Sequence, residues 1–101
     1  MTEASIAQRA IEITSTDLGG PGAPDAERCS AQAIAALKAE AGEGFRMTSL
    51  ALDVASHPLG AEGVMLTTRT DKRARSIVFV SAEARSGDRL VFSAQGLFSA
   101  G

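Results

Sequence analysis

Between Asp25 and Ala41 the chain reads DAERCSAQAIAALKAEA, and this stretch limits the possible architectures more than any other. At 3.6 residues per turn, Ala26, Cys29, Ser30, Ala33, Ile34, Leu37 and Ala41 share one broad face. Glu27, Arg28, Gln32 and Lys38 fall opposite, interleaved with Ala31, Ala35 and Ala39. The spacing predicts an amphipathic helix whose packing side consists mostly of small residues. Whatever lies against it approaches the helix axis closely. Pro24 and Asp25 mark the start, with acidic residues placed to suit the helix dipole, and Gly42 marks the stop.

The remaining strong patterns are strands. Ile6 to Thr14 alternates Arg9, Ile11 and Ile13 with Ala10, Glu12 and Thr14, although ASIAQRAIEI also admits a helical reading. Residues 15–24, STDLGGPGAP, form a loop of turn formers. Met47 to Ser56 sets Leu50, Leu52 and Val54 against Ser49, Ala51 and Asp53. His57-Pro58-Leu59-Gly60 breaks that strand, and Val64 to Thr70 resumes the alternation. The basic turn Asp71-Lys72-Arg73-Ala74-Arg75 leads to Ser76–Arg85, where the run Ile77-Val78-Phe79-Val80 predicts a strand covered on both faces. Ser86-Gly87-Asp88 is a hairpin turn, and Arg89 to Ser99 closes the chain. The order is β-α-β-β-β-β, an α+β fold in which a curved antiparallel sheet wraps around one central helix. Residues 1–101 read as one domain, without repeat or linker.

Composition narrows the function classes. A net charge of -2 gives no electrostatic case for nucleic acid. One cysteine excludes an internal disulfide and any cysteine-cluster zinc site, so no metal is expected. MTEASIAQRA lacks a signal-peptide pattern and no run approaches membrane-spanning length, so the expected setting is cytoplasmic, without membrane association. Gly19-Gly20-Pro21-Gly22 has neither the spacing nor the lysine of a phosphate-binding loop. A core this thin is often completed by a second copy.

With one small-faced helix after a first strand, and four strands ending in SIVFVSAEARSGDRLVFSAQGLF, the chain resembles the hot-dog fold of the acyl-CoA thioesterase superfamily. The phenylacetate-pathway-like thioesterase branch is the nearest match. Arg73 to Phe98 follows that branch's last hairpin, including its L-V-x-x-A-x-G-x-F ending, and Leu50–Gly63 resembles its second strand and Pro-containing turn. The resemblance covers about Ser5 to Phe98. Two departures stand out. Leu18-Gly19-Gly20-Pro21-Gly22 replaces the family's His-Gly-Gly signature, and no Asp follows along the helix where several relatives carry their catalytic acid.

The resemblance implies a homodimer, or a dimer of dimers, with two helices side by side and a thioester carbonyl held at a helix N-terminus. A carboxylate would serve as nucleophile or general base. Glu27 and Asp25 are the candidates, followed by Asp17; their alternative roles are first-turn charge, N-cap and turn former. Gly20 and Gly22 lie where coenzyme A would approach the helix start, and Arg73 and Arg75, with Lys72, supply cations for its phosphates. No cofactor is implied. His57 is expected in a surface turn and Cys29 in the core. Two functions follow: an acyl-CoA thioesterase working at a dimer-interface cleft, or an inert hot-dog module that binds acyl-CoA or an apolar ligand or serves as an assembly partner.

Overall fold

The computed structural model describes residues 8–20, 22–56, 58 and 63–101. Its elements run β1 (Gln8–Ile13), a 3-10 turn (Ser15–Leu18), α1 (Ala26–Ala41), β2 (Phe45–Val54), β3 (Val64–Arg73), β4 (Ile77–Ser86) and β5 (Arg89–Ala100). The expected α+β order is present, and the first segment is a strand rather than a helix. The five strands form one antiparallel sheet in the order β1-β3-β4-β5-β2.

Alternation assigns the two faces. Val64, Leu66 and Thr68 of β3, Val78, Val80, Ala82 and Ala84 of β4, and Phe92, Ala94 and Phe98 of β5 point inward and are buried. The helix lies across them and buries Cys29, Ala33, Leu37, Glu40 and Ala41. The packing stripe is therefore rotated from the sequence expectation: Ala26 is exposed, Ser30 and Ile34 are half-buried, and Glu40 joins the stripe. The cause is the fit to the sheet. Gly96 on β5 leaves a hollow that Leu37 fills; a Cβ at Gly96 would lie 3.3 Å from Leu37 Cδ1 and 3.0 Å from Phe98 Cε1. Rotation about Leu37 carries the Ala36 and Glu40 side toward β3.

Glu40 is stabilised there by two hydroxyls. Thr68 Oγ1 donates to Oε1 at 3.2 Å and Thr70 Oγ1 to Oε2 at 2.8 Å. A buried carboxylate is tolerated only with such partners.

Two strand expectations change. β3 runs through Arg73 instead of ending at Thr70, because a bulge between Thr70 and Lys72 keeps the ladder paired to Phe79 and Val78. The connection to β4 is correspondingly tight, with Ala74 N–H donating to Ile77 O at 2.8 Å. The run Ile77–Val80 is covered on one face only. Val78 and Val80 are buried, whereas Ile77 and Phe79 point outward at 38% and 41% exposure. Consecutive apolar residues record two apolar faces; they do not supply a second layer. One helix on one sheet gives a body only 17 Å thick, and the outer sheet face is bare.

Candidate active site at the helix N-terminus

The approach to α1 is a compact folded corner. Thr14 and Asp17 form a reciprocal capping box around the 3-10 turn: Thr14 N–H donates to Asp17 Oδ2 at 2.9 Å, and Asp17 N–H to Thr14 Oγ1 at 3.3 Å. Asp17 is thus engaged locally. Gly19 then adopts φ 89°, a left-handed conformation that reverses the chain toward the helix. A Cβ on Gly19 would come within 2.7 Å of Asp25 Cβ, and one on Gly20 within 2.9 Å of Ser15 O. Gly20 is required by the chain's own packing. Gly22 has open space beside it.

Asp25 is the N-cap. Its N–H donates to Leu18 O at 2.8 Å, and its Oδ1 accepts from Glu27 N–H at 2.9 Å. Asp25, Glu27 and Arg28 are all exposed, so the first turn presents two carboxylates and one guanidinium to solvent. The N–H groups of Ala26 and Arg28 have no acceptor among the described residues. These donors, together with the positive end of the helix dipole, can stabilise a developing negative charge. One turn further in, Cys29 is buried, and burial, aided by the Asp25 charge, pushes its thiol up to about 11. A thiol held neutral in this way is a core group and a poor nucleophile.

The expected coenzyme A cations sit elsewhere. Arg73 Nη2 donates to Glu40 O at 3.4 Å and to Ala41 O at 3.2 Å, and its guanidinium lies 5.7 Å from the Phe45 ring centroid. It therefore neutralises the C-terminal carbonyls of α1. Arg75 is exposed in the turn that follows. A 16-residue helix is about 24 Å long, so within one chain the carboxylates and these cations stand at opposite ends of α1.

The architecture matches several solved structures. The chain aligns with a conserved protein of Pseudomonas aeruginosa at TM-score 0.68 and 18% identity, over 94% of this chain and 80% of that one. It aligns with the PaaI protein of the Escherichia coli phenylacetic acid degradation operon at TM-score 0.72 and 12% identity, over 94% and 72%. A candidate thioesterase of Ralstonia eutropha related to phenylacetic acid degradation aligns at TM-score 0.66 and 19% identity, over 95% and 76%. The fold is the hot-dog fold. No protein-family model and no curated protein sequence matches the chain. At such identities the likeness carries the hot-dog architecture and no residue roles.

Of the sequence-predicted site residues, the hot-dog frame brings together Asp25, Glu27, Gly20 and Gly22 at one corner and leaves Arg73 and Arg75 at the other end. His57 lies outside the described residues. Among the described residues no cluster of three metal-ligating side chains occurs, and no helix is long and apolar enough to cross a membrane. Sequence reading missed Glu40 and its threonines. The signal was present: Glu40 continues the 33-37-40 spacing of the buried stripe, and Thr68 and Thr70 occupy inward positions of β3.

Proposed function

We propose that this hot-dog chain is a small acyl-CoA thioesterase, acting at a cleft between two copies and using the first turn of α1. The observation that carries the proposal is the pair of N–H groups of Ala26 and Arg28, which have no acceptor among the described residues, beside an exposed Glu27 whose carboxylate has no partner among them. A thioester carbonyl oxygen placed on these donors becomes electrophilic at carbon. Glu27 takes a proton from water as the water oxygen bonds to that carbon. The tetrahedral oxyanion collapses, the carbon–sulfur bond breaks, and the departing thiolate receives the proton from Glu27. Asp25, already bonded to Glu27 N–H, fixes the first turn and is a positioning residue.

A homodimer supports this chemistry. Two antiparallel helices side by side set the C-terminal end of one α1 against the N-terminal end of the other, so that Arg75 from one copy reaches the phosphates of a substrate held by its mate. A reduced, buried Cys29 suits a cytoplasmic setting.

Thiol release from short, medium, long and aromatic acyl-CoAs tests the reading. Wild type should turn over at least one of them, and Glu27→Ala should lose turnover, by on the order of a hundredfold for a removed general base, at unchanged melting temperature. Full activity in Glu27→Ala refutes the assignment. A second reading, an inert acyl-CoA-binding module, is favoured by one feature: the Asp25 carboxylate already places negative charge on the first-turn N–H groups. Binding of the same panel without thiol release would select it.

A further inference from the structure

The outer face of the sheet, away from the helix, plays no part in the corner described above. Strand register orders its side chains. Near the end where β3 stops and β2 begins, one row reads Lys72–Phe79–Leu97–Ser49 from β3 to β2. The next row toward that end holds Ile77, Ser99 and Arg46 on β4, β5 and β2. In the other direction follow Arg69–Ser81–Gln95–Ala51 and then Thr67–Glu83–Ser93–Asp53, which line a concavity of about 390 Å³.

Together these positions form a trough along β4 and β5. Its floor is apolar at one end, with Ile77, Phe79 and Leu97, and passes into short Ser81 and Ser93. The apolar groups lie low: Ile77 and Phe79 are 38% and 41% exposed, and Leu97 is half-buried. Exposed Lys72 and Arg75 stand on the β3 side of this end, and exposed Arg46 on the β2 side. None of the three forms an ion pair among the described residues, whereas Arg69 is engaged by Asp71 and Arg85 by Glu83, each at 2.9 Å. At the far end Asp53 is likewise without an ion pair among the described residues.

We propose that this trough docks an amphipathic α-helix of another protein, laid along β4 and β5 with its acidic half at the C-terminus. The width suits such an occupant. Three strand spacings of about 4.8 Å separate β3 from β2, so the walls stand about 14 Å apart, and a helix with its side chains is about 10–12 Å across. The length suits it as well. From the row of Ile77 to that of Glu83 is about 20 Å at about 3.3 Å per residue, which about four helical turns cover. An apolar stripe on the incoming helix meets Ile77, Phe79 and Leu97, and closes an open sheet face in the way that layered folds do.

Charge sets the direction. Carboxylates flanking the C-terminal half of the stripe reach Arg46, Lys72 and Arg75, and the negative end of the helix dipole lies against the same cations. The positive N-terminal end then faces Asp53. A bilayer is the poorer occupant, because apolar groups recessed between charged walls do not reach into lipid. This surface lies across the sheet from α1, and the inference does not depend on the thioesterase reading.

Fluorescence anisotropy on the full chain tests it with two labelled, lactam-stapled helical peptides of about fifteen residues. Both carry the same leucine stripe. One has lysines flanking its N-terminal half and glutamates its C-terminal half, and the other has the charges exchanged. Wild type should bind the first roughly tenfold more tightly, the equivalent of about two exposed ion pairs. Arg46→Glu combined with Lys72→Glu should invert that order. Phe79→Asp should weaken both peptides by roughly tenfold, as removal of a central aromatic anchor does. Circular dichroism spectra of all variants should match wild type. Absence of binding to wild type overturns the proposal, as does equal affinity for the two peptides or an order that survives the charge reversal in folded protein. Two further outcomes overturn it. Wild type that refuses both peptides and sediments as an assembly that Phe79→Asp breaks has this face covered by a second copy. Wild type that co-sediments with phosphatidylserine vesicles, loses them on charge reversal and shows no peptide preference uses these cations on a membrane.

Discussion

Replacing Leu37 by Ala should be among the most damaging substitutions in this fold. Leu37 is completely buried at the middle of the helix stripe, with Cδ1 against the hollow left by Gly96. The change removes three carbons, a transfer loss of about 2–2.5 kcal/mol at roughly 0.8 kcal/mol each. The cavity adds to this because its walls cannot close. Leu37's neighbours on the helix stripe are Ala33 and Ala41, and the sheet wall carries Gly96, so few flexible side chains can swing in. The total should lie in the upper half of the usual Leu-to-Ala range, about 4 kcal/mol. Against a small domain's stability of about 5–15 kcal/mol, this lowers the melting temperature by roughly 15–30 °C.

The assay is urea unfolding followed by circular dichroism at fixed protein concentration, because association contributes to apparent stability. Leu50→Ala, at a half-buried position of edge strand β2, is the internal control and should cost less than half as much. A loss below about 1.5 kcal/mol at Leu37, or equal losses at the two sites, would refute the account of a helix keyed into the sheet by one leucine.

Thr70→Val removes a hydroxyl that donates to buried Glu40 and should cost about 1–3 kcal/mol, whereas Thr48→Val, at an exposed hydroxyl on β2, should cost little; equal effects in chemical unfolding would contradict the Glu40 anchor. Arg73→Leu should lower stability by about 1 kcal/mol through the lost contacts with the α1 carbonyls, while leaving the affinity for coenzyme A within twofold of wild type by titration calorimetry. Asp25→Ala should cost about 1 kcal/mol through loss of the N-cap, measured by thermal melting. Cys29 makes stability depend on pH at the alkaline end. Its thiol titrates near 9.0 when unfolded and near 11 when folded, so the contribution is fully present below 9 and is lost as pH rises toward 11. Cys29→Ala should flatten that decline in urea midpoints measured from pH 8 to 11.

Much of the fold was legible in local pattern. Period 3.6 placed α1 to within a residue at its start, and period 2 assigned the inward residues of β2 correctly. Both work because the chain's own geometry determines which side chains share a face. The site was legible only in part. Asp25 was readable as a cap because capping is a contact between near neighbours in sequence. Arg73 was not readable as a helix-end partner, since its contacts with Glu40 and Ala41 join residues more than thirty positions apart.

Alone, then, the sequence determined the order of the elements, the inward face of β2 and the capped, glycine-shaped corner before α1, all of which depend on interactions within a few residues. Tertiary structure decided the rest. It set the rotation of α1 about Leu37, recruited Glu40 into the core, turned Arg73 to the helix end, and left Ile77 and Phe79 facing outward on an open sheet. Each of these depends on which strand lies beside which, and strand neighbours are chosen by packing across the whole chain, where local periodicity carries no information.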